Sequence, residues 1–166
     1  MNPNILIVDD SGMVRRAVAR SLAGYECNLY EAENGMIAMK MMDKYNPALV
    51  ILDYNMPGMN GMDVLQAMKE EGLLKKTKVM MLTANKTAET VVAIARMGVR
   101  DYLTKPFEAK QIIERVNKLV PLQLSPTVAM GADGPVDMGT AVLPTGRIDD
   151  ATPPADDGPA GEAPAA

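Results

Sequence analysis

A chain of 166 residues with 17 Lys+Arg, 21 Asp+Glu and a net charge of −4 is long enough for one core plus an appendage, and it lacks the clustered basic patch that nucleic-acid binding needs. One cysteine and no histidine exclude an internal disulfide, a zinc site built from Cys or His clusters, and any His-based catalytic triad. With no charged-then-apolar leader and no apolar run near the ~18 residues that span a bilayer, the protein is expected to be cytoplasmic without membrane insertion.

Ile5-Leu-Ile-Val8 is a continuous apolar run that ends on the paired carboxylates Asp9 and Asp10 and then Ser11-Gly12; it predicts a buried strand. From Met13 to Ala23, apolar Val14, Ala17, Val18 and Leu22 alternate with Arg15, Arg16 and Arg20 at helical spacing, with Asp10 or Ser11 as N-cap and Gly24 as the stop. Cys27–Ala32 is a more polar strand, and Cys27 is expected to serve as a small buried hydrophobe. A helix carrying Ile37, Met41 and Met42 follows and ends near Tyr45-Asn46-Pro47. Leu49-Val-Ile-Leu52 then runs straight into Asp53 and the Pro57/Gly58 loop, which predicts a strand covered on both faces and ending on a carboxylate. Beyond it come a helix over Met62–Glu71 stopped by Gly72, a third apolar strand over Val79–Leu82 ending in Thr83-Ala84-Asn85, and a helix over Thr87–Met97 stopped by Gly98. A mixed strand, Arg100–Thr104, leads into Lys105-Pro106-Phe107, and a last helix over Glu108–Leu119 places Ile112, Val116 and Leu119 on one stripe.

Five strands alternating with five helices imply a parallel sheet covered on both faces. Three strands are wholly apolar and two are mixed, so strands one, three and four belong at the centre and two and five at the edges. The order 2-1-3-4-5 with right-handed crossovers satisfies this and gives an α/β, flavodoxin-like (βα)5 fold over residues 1–120. The methionines, 15 in all, are read first as core filler. Residues 121–166 are expected to form a separate Pro/Ala/Gly/Asp-rich, disordered tail. Charge divides at the same place: residues 1–119 carry 16 basic and 14 acidic groups, net +2, and residues 120–166 carry 1 and 7, net −6, which together give −4.

In that strand order the carboxyl ends of strands one, three, four and five share one rim, the place where open α/β sheets bind ligands. The rim would collect Asp9, Asp10, Asp53, Thr83 and Lys105. Three carboxylates in one place repel unless a cation holds them, and Mg²⁺ takes hard oxygen ligands from carboxylates, carbonyls and phosphate. With one lysine and one Mg²⁺ the formal charge is −3 + 1 + 2 = 0, which admits an anionic phosphoryl group. Aspartate is a competent nucleophile toward phosphorus, and phosphoryl transfer needs chiefly positioning and charge stabilisation. Asp53 would attack, Mg²⁺ on Asp9 or Asp10 and the Asn55 backbone carbonyl would offset the charge on the transferring oxygens, Lys105 would pair with developing charge, and the Thr83 hydroxyl could bond a phosphoryl oxygen. Taken alone, Asp53 could equally open a turn, and Lys105 could be a solvated charge.

Asp9-Asp10 after strand one, Asp53-x-x-Met56-Pro57-Gly58-Met59-Asn60-Gly61 after strand three, Thr83-Ala84 after strand four and Lys105-Pro106-Phe107 after strand five together resemble a response-regulator receiver domain of the single-domain CheY type. The resemblance covers residues 1–119. It implies that Asp53 accepts a phosphoryl group from a histidine kinase or phosphotransfer protein, that Asp9, Asp10, Asp53 and the Asn55 carbonyl hold Mg²⁺, and that Thr83 and Tyr102 form a switch pair. It also implies a cis bond before Pro106, and output to a downstream target through helix four, strand five and helix five. With no helix-turn-helix or second catalytic segment in the sequence, the expected output is protein binding without direct DNA contact, in chemotaxis or motility control or as a phosphorelay step. The protein is then an acceptor rather than a turnover enzyme, a monomer or a weak phosphorylation-dependent dimer. Neutral amides at Asn55 and Asn85 suggest a phosphoryl lifetime of seconds to minutes. Two other readings compete: a haloacid-dehalogenase-type phosphatase, which expects a second aspartate where Asn55 stands, and a constitutive docking receiver regulated by its tail. The acidic stretch Asp149–Glu162 could lie against Arg15, Arg16 and Arg20 or against the output face.

Overall fold

The computed structural model describes residues 1–99 and 101–129. Its strands are β1 (Asn4–Val8), β2 (Asn28–Ala32), β3 (Leu49–Asp53), β4 (Lys78–Thr83) and β5 (Asp101–Thr104), interleaved with helices α1 (Gly12–Leu22), α2 (Gly35–Tyr45), α3 (Gly61–Glu70), α4 (Ala88–Arg96) and α5 (Ala109–Leu119). All neighbouring strands run parallel in the order β2-β1-β3-β4-β5. The flavodoxin-like arrangement expected from the sequence is the one observed. The wholly apolar strands are central because both of their faces are covered: Ile5, Ile7, Leu49, Ile51, Met80 and Leu82 face α1 and α5, while Leu6, Val8, Val50, Leu52, Val79 and Met81 face α2, α3 and α4.

Local chemistry sets the helix ends. The Ser11 hydroxyl accepts from the Val14 N–H and caps α1, the Asn34 amide oxygen accepts from Ile37 N–H at the start of α2, and Asn60 and Asp63 form a reciprocal capping box on α3. Such caps satisfy donors that a helix start leaves unpaired. Helices α1 and α3 each begin and end one residue before the predicted limits, and α4 is a residue shorter at both ends. A single 3-10 turn at Leu73–Lys75, which carries no periodic signature, follows α3.

Met41, Met42, Met56, Met68, Met80 and Met81 are buried, as core filler should be, but Met13 and Met36 are exposed. Both sit in the first turn of their helices on the solvent side, where helical period places them outside the stripe. The Cys27 thiol is half-buried, and burial pushes it up to about 11, so it stays protonated and unreactive at neutral pH.

Past Val120 the described chain turns back across the base of α1. Glu26 N–H donates to the Gln123 carbonyl, Ser125 N–H donates to the Gly24 carbonyl, and Tyr25 and Leu124 form an antiparallel bridge. A short helix, α6, follows at Pro126–Ala129. Of the tail expected over residues 121–166, residues 130–166, including Asp149–Glu162, lie outside the described residues.

Candidate functional site

The parallel register brings the ends of β1, β3, β4 and β5 to one rim. Asp9 follows Val8 directly, Asp53 closes β3, Thr83 closes β4, and Lys105 follows Thr104. Backbone bonds fix these termini: Asp9 N–H donates to Ala32 O, Tyr54 N–H to Leu82 O, and Lys105 N–H to Thr83 O at 2.9 Å. The Lys105–Pro106 peptide bond is cis, as the resemblance implied.

Asp9 and Asp53 are 0% and 2% exposed. Lys105 Nζ lies 2.7 Å from Asp9 Oδ2 and 3.0 Å from Asp53 Oδ1 and bridges them. Asp9 Oδ1 also accepts the Ser11 N–H at 2.8 Å, and Asp53 Oδ1 accepts the Asn55 N–H at 3.4 Å. One oxygen each from Asp9, Asp10 and Asp53 falls within a set no more than 4.8 Å across, with Asp10 exposed at its mouth. A compact set of hard oxygen donors open on one side fits Mg²⁺, which keeps water and phosphate in its remaining positions. Thr83 is buried at the same rim; its hydroxyl accepts the Asn85 N–H at 3.0 Å and donates to the Asn85 carbonyl at 3.1 Å. Tyr102, half-buried on β5, packs against the cluster under α2, α3 and α4.

Burial raises the Asp53 carboxyl above the ordinary carboxylate value, with nearby Asp9 adding to the rise and Lys105 opposing it. For Lys105, burial opposes the charged form, but the hydrogen bonds to Asp9 and Asp53 prevail and the ammonium is held above its usual value. Stability follows from the signs. A carboxyl whose folded value is raised binds more protons folded than unfolded, so stability falls as pH rises from the ordinary carboxylate range through the raised value. At neutral pH the Asp53 charge therefore destabilises the metal-free fold. Asp53→Asn is expected to raise Tm in metal-free buffer by roughly 2–6 °C, for a gain of about 1 kcal/mol. The advantage should shrink as the buffer is acidified, and a calorimetric pH series on both proteins reads it directly.

Two contributors to the site escape a reading of residue types alone. Arg15 Nη1 donates to the Asp9 main-chain carbonyl at 2.6 Å while its Nε pairs with Glu31 at 2.9 Å, so α1 anchors the end of β1. Gly61 N–H donates to the Tyr54 carbonyl at 3.0 Å, and a Cβ built on Gly61 would lie 2.4 Å from the Asp53 carbonyl oxygen. The cue for Gly61 was present in the Asn60-x-x-Asp63 capping spacing, which marks it as the first helical residue.

A doubly wound sheet whose rim gathers three carboxylates around a bridging lysine is the architecture of a receiver domain. The chain belongs to the response regulator receiver domain family, whose sequence model matches residues 5–117. Among curated relatives, the chemotaxis protein CheY-3 of Vibrio cholerae is 38% identical over 120 residues, covering 71% of this chain and 92% of that protein. The chemotaxis protein CheY of Pseudomonas aeruginosa is 37% identical over 117 residues, covering 69% and 94%. Among solved structures, the chemotaxis protein CheY4 of Vibrio cholerae superposes with a TM-score of 0.66 at 29% identity, covering 72% of this chain and all of that one. The fold and family are thus those of a CheY-like receiver domain of two-component signalling. Among the described residues no helix is long and apolar enough to cross a membrane.

Proposed function

We propose that the protein is a phosphorylation-dependent switch that takes a phosphoryl group on Asp53 from a histidine kinase or phosphotransfer protein. The observation that carries this reading is the Lys105 ammonium spanning Asp9 and Asp53 at 2.7 and 3.0 Å on a buried rim. An Asp53 oxygen attacks phosphorus, the phosphorus–nitrogen bond of the donor phosphohistidine breaks, an acyl phosphate forms, and the leaving imidazole takes its proton from solvent. Lys105, already aimed between the carboxylates, pairs with the charge on the phosphoryl oxygens. Mg²⁺, held by Asp9, Asp10, Asp53 and the Asn55 carbonyl, would supply charge neutralisation.

The readout begins at Thr83. To donate to a phosphoryl oxygen its hydroxyl releases the Asn85 carbonyl, which frees the loop entering α4, and Tyr102 on the neighbouring strand repacks with it. A local change in charge thereby biases a two-state element. The surface of α4, β5 and α5 then binds the target; Val92, a large apolar side chain 47% exposed on α4, suits a protein contact. Both curated relatives are chemotaxis proteins, which favours a motility target over direct DNA contact. Exposed Asn55 and Asn85 flank the site with neutral amides, consistent with a phosphoryl lifetime of seconds to minutes.

The test is the intact mass of the full chain after incubation with Mg²⁺ and acetyl phosphate. One phosphoryl adduct is expected on the wild type and none on Asp53→Ala or in a Mg²⁺-free control. If neither acetyl phosphate nor a panel of histidine kinases labels the protein, it acts as a constitutive docking module.

A further inference from the structure

At the pole of the sheet opposite Asp53, a cleft of about 350 Å³ opens where β4 and β5 begin. Lys75, Lys76 and Lys78 stand on one side, Met97 and Leu74 give it apolar wall, and Asp101 is its one acidic lining residue. Asp101 is already neutralised, with Arg115 at 3.0 Å and Lys118 at 3.7 Å, and Lys78 Nζ is bound to the Leu119 carbonyl. Lys75 and Lys76 are exposed and make no ion pair among the described residues. The cleft is therefore a net positive surface with a partly apolar lining.

We infer that this cleft is the docking site for the acidic stretch of the same chain, Asp149–Glu162. That stretch holds Asp149, Asp150, Asp156, Asp157 and Glu162 with no basic residue, and three prolines. Proline lowers the entropy lost when a segment is held extended. Geometry favours the cleft over Arg15. The last described residues, the helix Pro126–Ala129, follow directly on the bridge between Leu124 and Tyr25, just before β2. This is the end where the parallel strands begin, and therefore the cleft's own pole. Three strand spacings separate β2 from β4, about 14 Å. Nineteen residues lie between Ala129 and Asp149, and a random-coil chain of that length would span roughly 25 Å end to end. A tether of that reach keeps the acidic stretch at about millimolar effective concentration over the cleft. Arg15, by contrast, is committed to Glu31 and the Asp9 carbonyl at the far rim. Complementary charge then selects the register and makes the contact salt-dependent.

Carbodiimide cross-linking of the full chain at low salt, mapped by mass spectrometry, tests the docking. Amide links from Asp149–Glu162 should fall on Lys75 and Lys76 several-fold more often than on the likewise exposed Lys40, Lys69 and Lys86, and should vanish at about 0.5 M salt, where the screening length is only a few ångströms. An even spread over the lysines, persistence at high salt, or links found only between isotopically distinct chains would each overturn the inference. A full chain with the five tail acids changed to Asn or Gln should also shift the backbone amide resonances of Leu74–Val79 and Met97–Val99. Unchanged resonances there would count equally against it. These substitutions lie outside the described residues, and an unchanged thermal melt shows that the domain still folds.

Discussion

Lys105→Ala should destabilise the metal-free protein by roughly 2–4 kcal/mol and make its melting temperature strongly dependent on Mg²⁺. The lysine ammonium is the cation that bridges Asp9 and Asp53, at 2.7 and 3.0 Å, and both carboxylates are buried. Removing one partner of a buried pair generally costs about 3–5 kcal/mol, because the remaining charge has neither water nor a counterion. Here the cost is smaller, since burial already raises the Asp53 carboxyl, and without the ammonium beside it the group can take up a proton instead of remaining charged. A divalent cation replaces the missing charge, so saturating Mg²⁺ should restore most of the lost stability, in proportion to the logarithm of its concentration. Phosphorylation should still fall sharply in the rescued protein, because the ammonium that would meet the phosphoryl oxygens is gone. Thermal melts with and without Mg²⁺, beside intact-mass labelling, separate the two effects. A variant as stable as wild type without metal would show that Lys105 does not balance the carboxylates.

The same accounting explains why Asp53→Asn and Lys105→Ala should move stability in opposite directions. Three carboxylates against one ammonium leave an excess of two negative charges at the rim. Taking one away relieves it; taking the lysine away deepens it. On the proposed function, a site that would gain a divalent ion and a phosphoryl group is thus arranged at some expense to the metal-free fold, as functional sites often are.

Much of this was legible in residue order because the fold rests on strong, simple signals. Ile5–Val8, Leu49–Leu52 and Val79–Leu82 are apolar without interruption, which only central parallel strands need, and that alone placed Asp9, Asp53 and Thr83 on one rim. Lys105 was less secure from composition, since a lysine after a mixed strand usually faces solvent; its place follows from a register that no single residue encodes. Less was legible where long-range packing decides. Residues Gln123–Ser125 carry no strand pattern, yet they pair with Gly24–Glu26 because those backbone groups would otherwise lack partners. Asp101, inside a short mixed strand, gives no hint from its neighbours that Arg115, fourteen residues on, will reach it. The role of Arg15 was hidden for a related reason: its partner, just past β1, is the Asp9 main-chain carbonyl, which sequence does not label.

Gly61→Ala is expected to cut the rate of Asp53 phosphorylation by about 10- to 100-fold and to destabilise the domain by roughly 1–3 kcal/mol. The cause is contact, not conformation. Gly61 opens α3, and its missing side chain lets the helix start directly against the end of β3, with a built Cβ 2.4 Å from the Asp53 carbonyl oxygen and 2.9 Å from the Tyr54 Cα. Both obstacles are backbone, so no rotamer change removes them; either the helix moves away or the end of β3 does. The Asp53 carboxylate then leaves the position that Lys105 and the other acids define, and misplacement of a reacting group by about 1 Å costs on the order of a hundredfold. Gly58, three residues earlier in the same loop, is the informative control. Its backbone lies at φ +76° with nothing within 4 Å of a built Cβ, so Gly58→Ala incurs only the strain of a left-handed residue, about 1–2 kcal/mol. It should therefore lose stability to a similar extent while keeping near-normal phosphorylation. Labelling rates with acetyl phosphate, measured beside urea melts for both variants, distinguish a crowded strand end from a merely weakened loop. Equal loss of labelling in the two would reject close helix–strand approach as what aims Asp53.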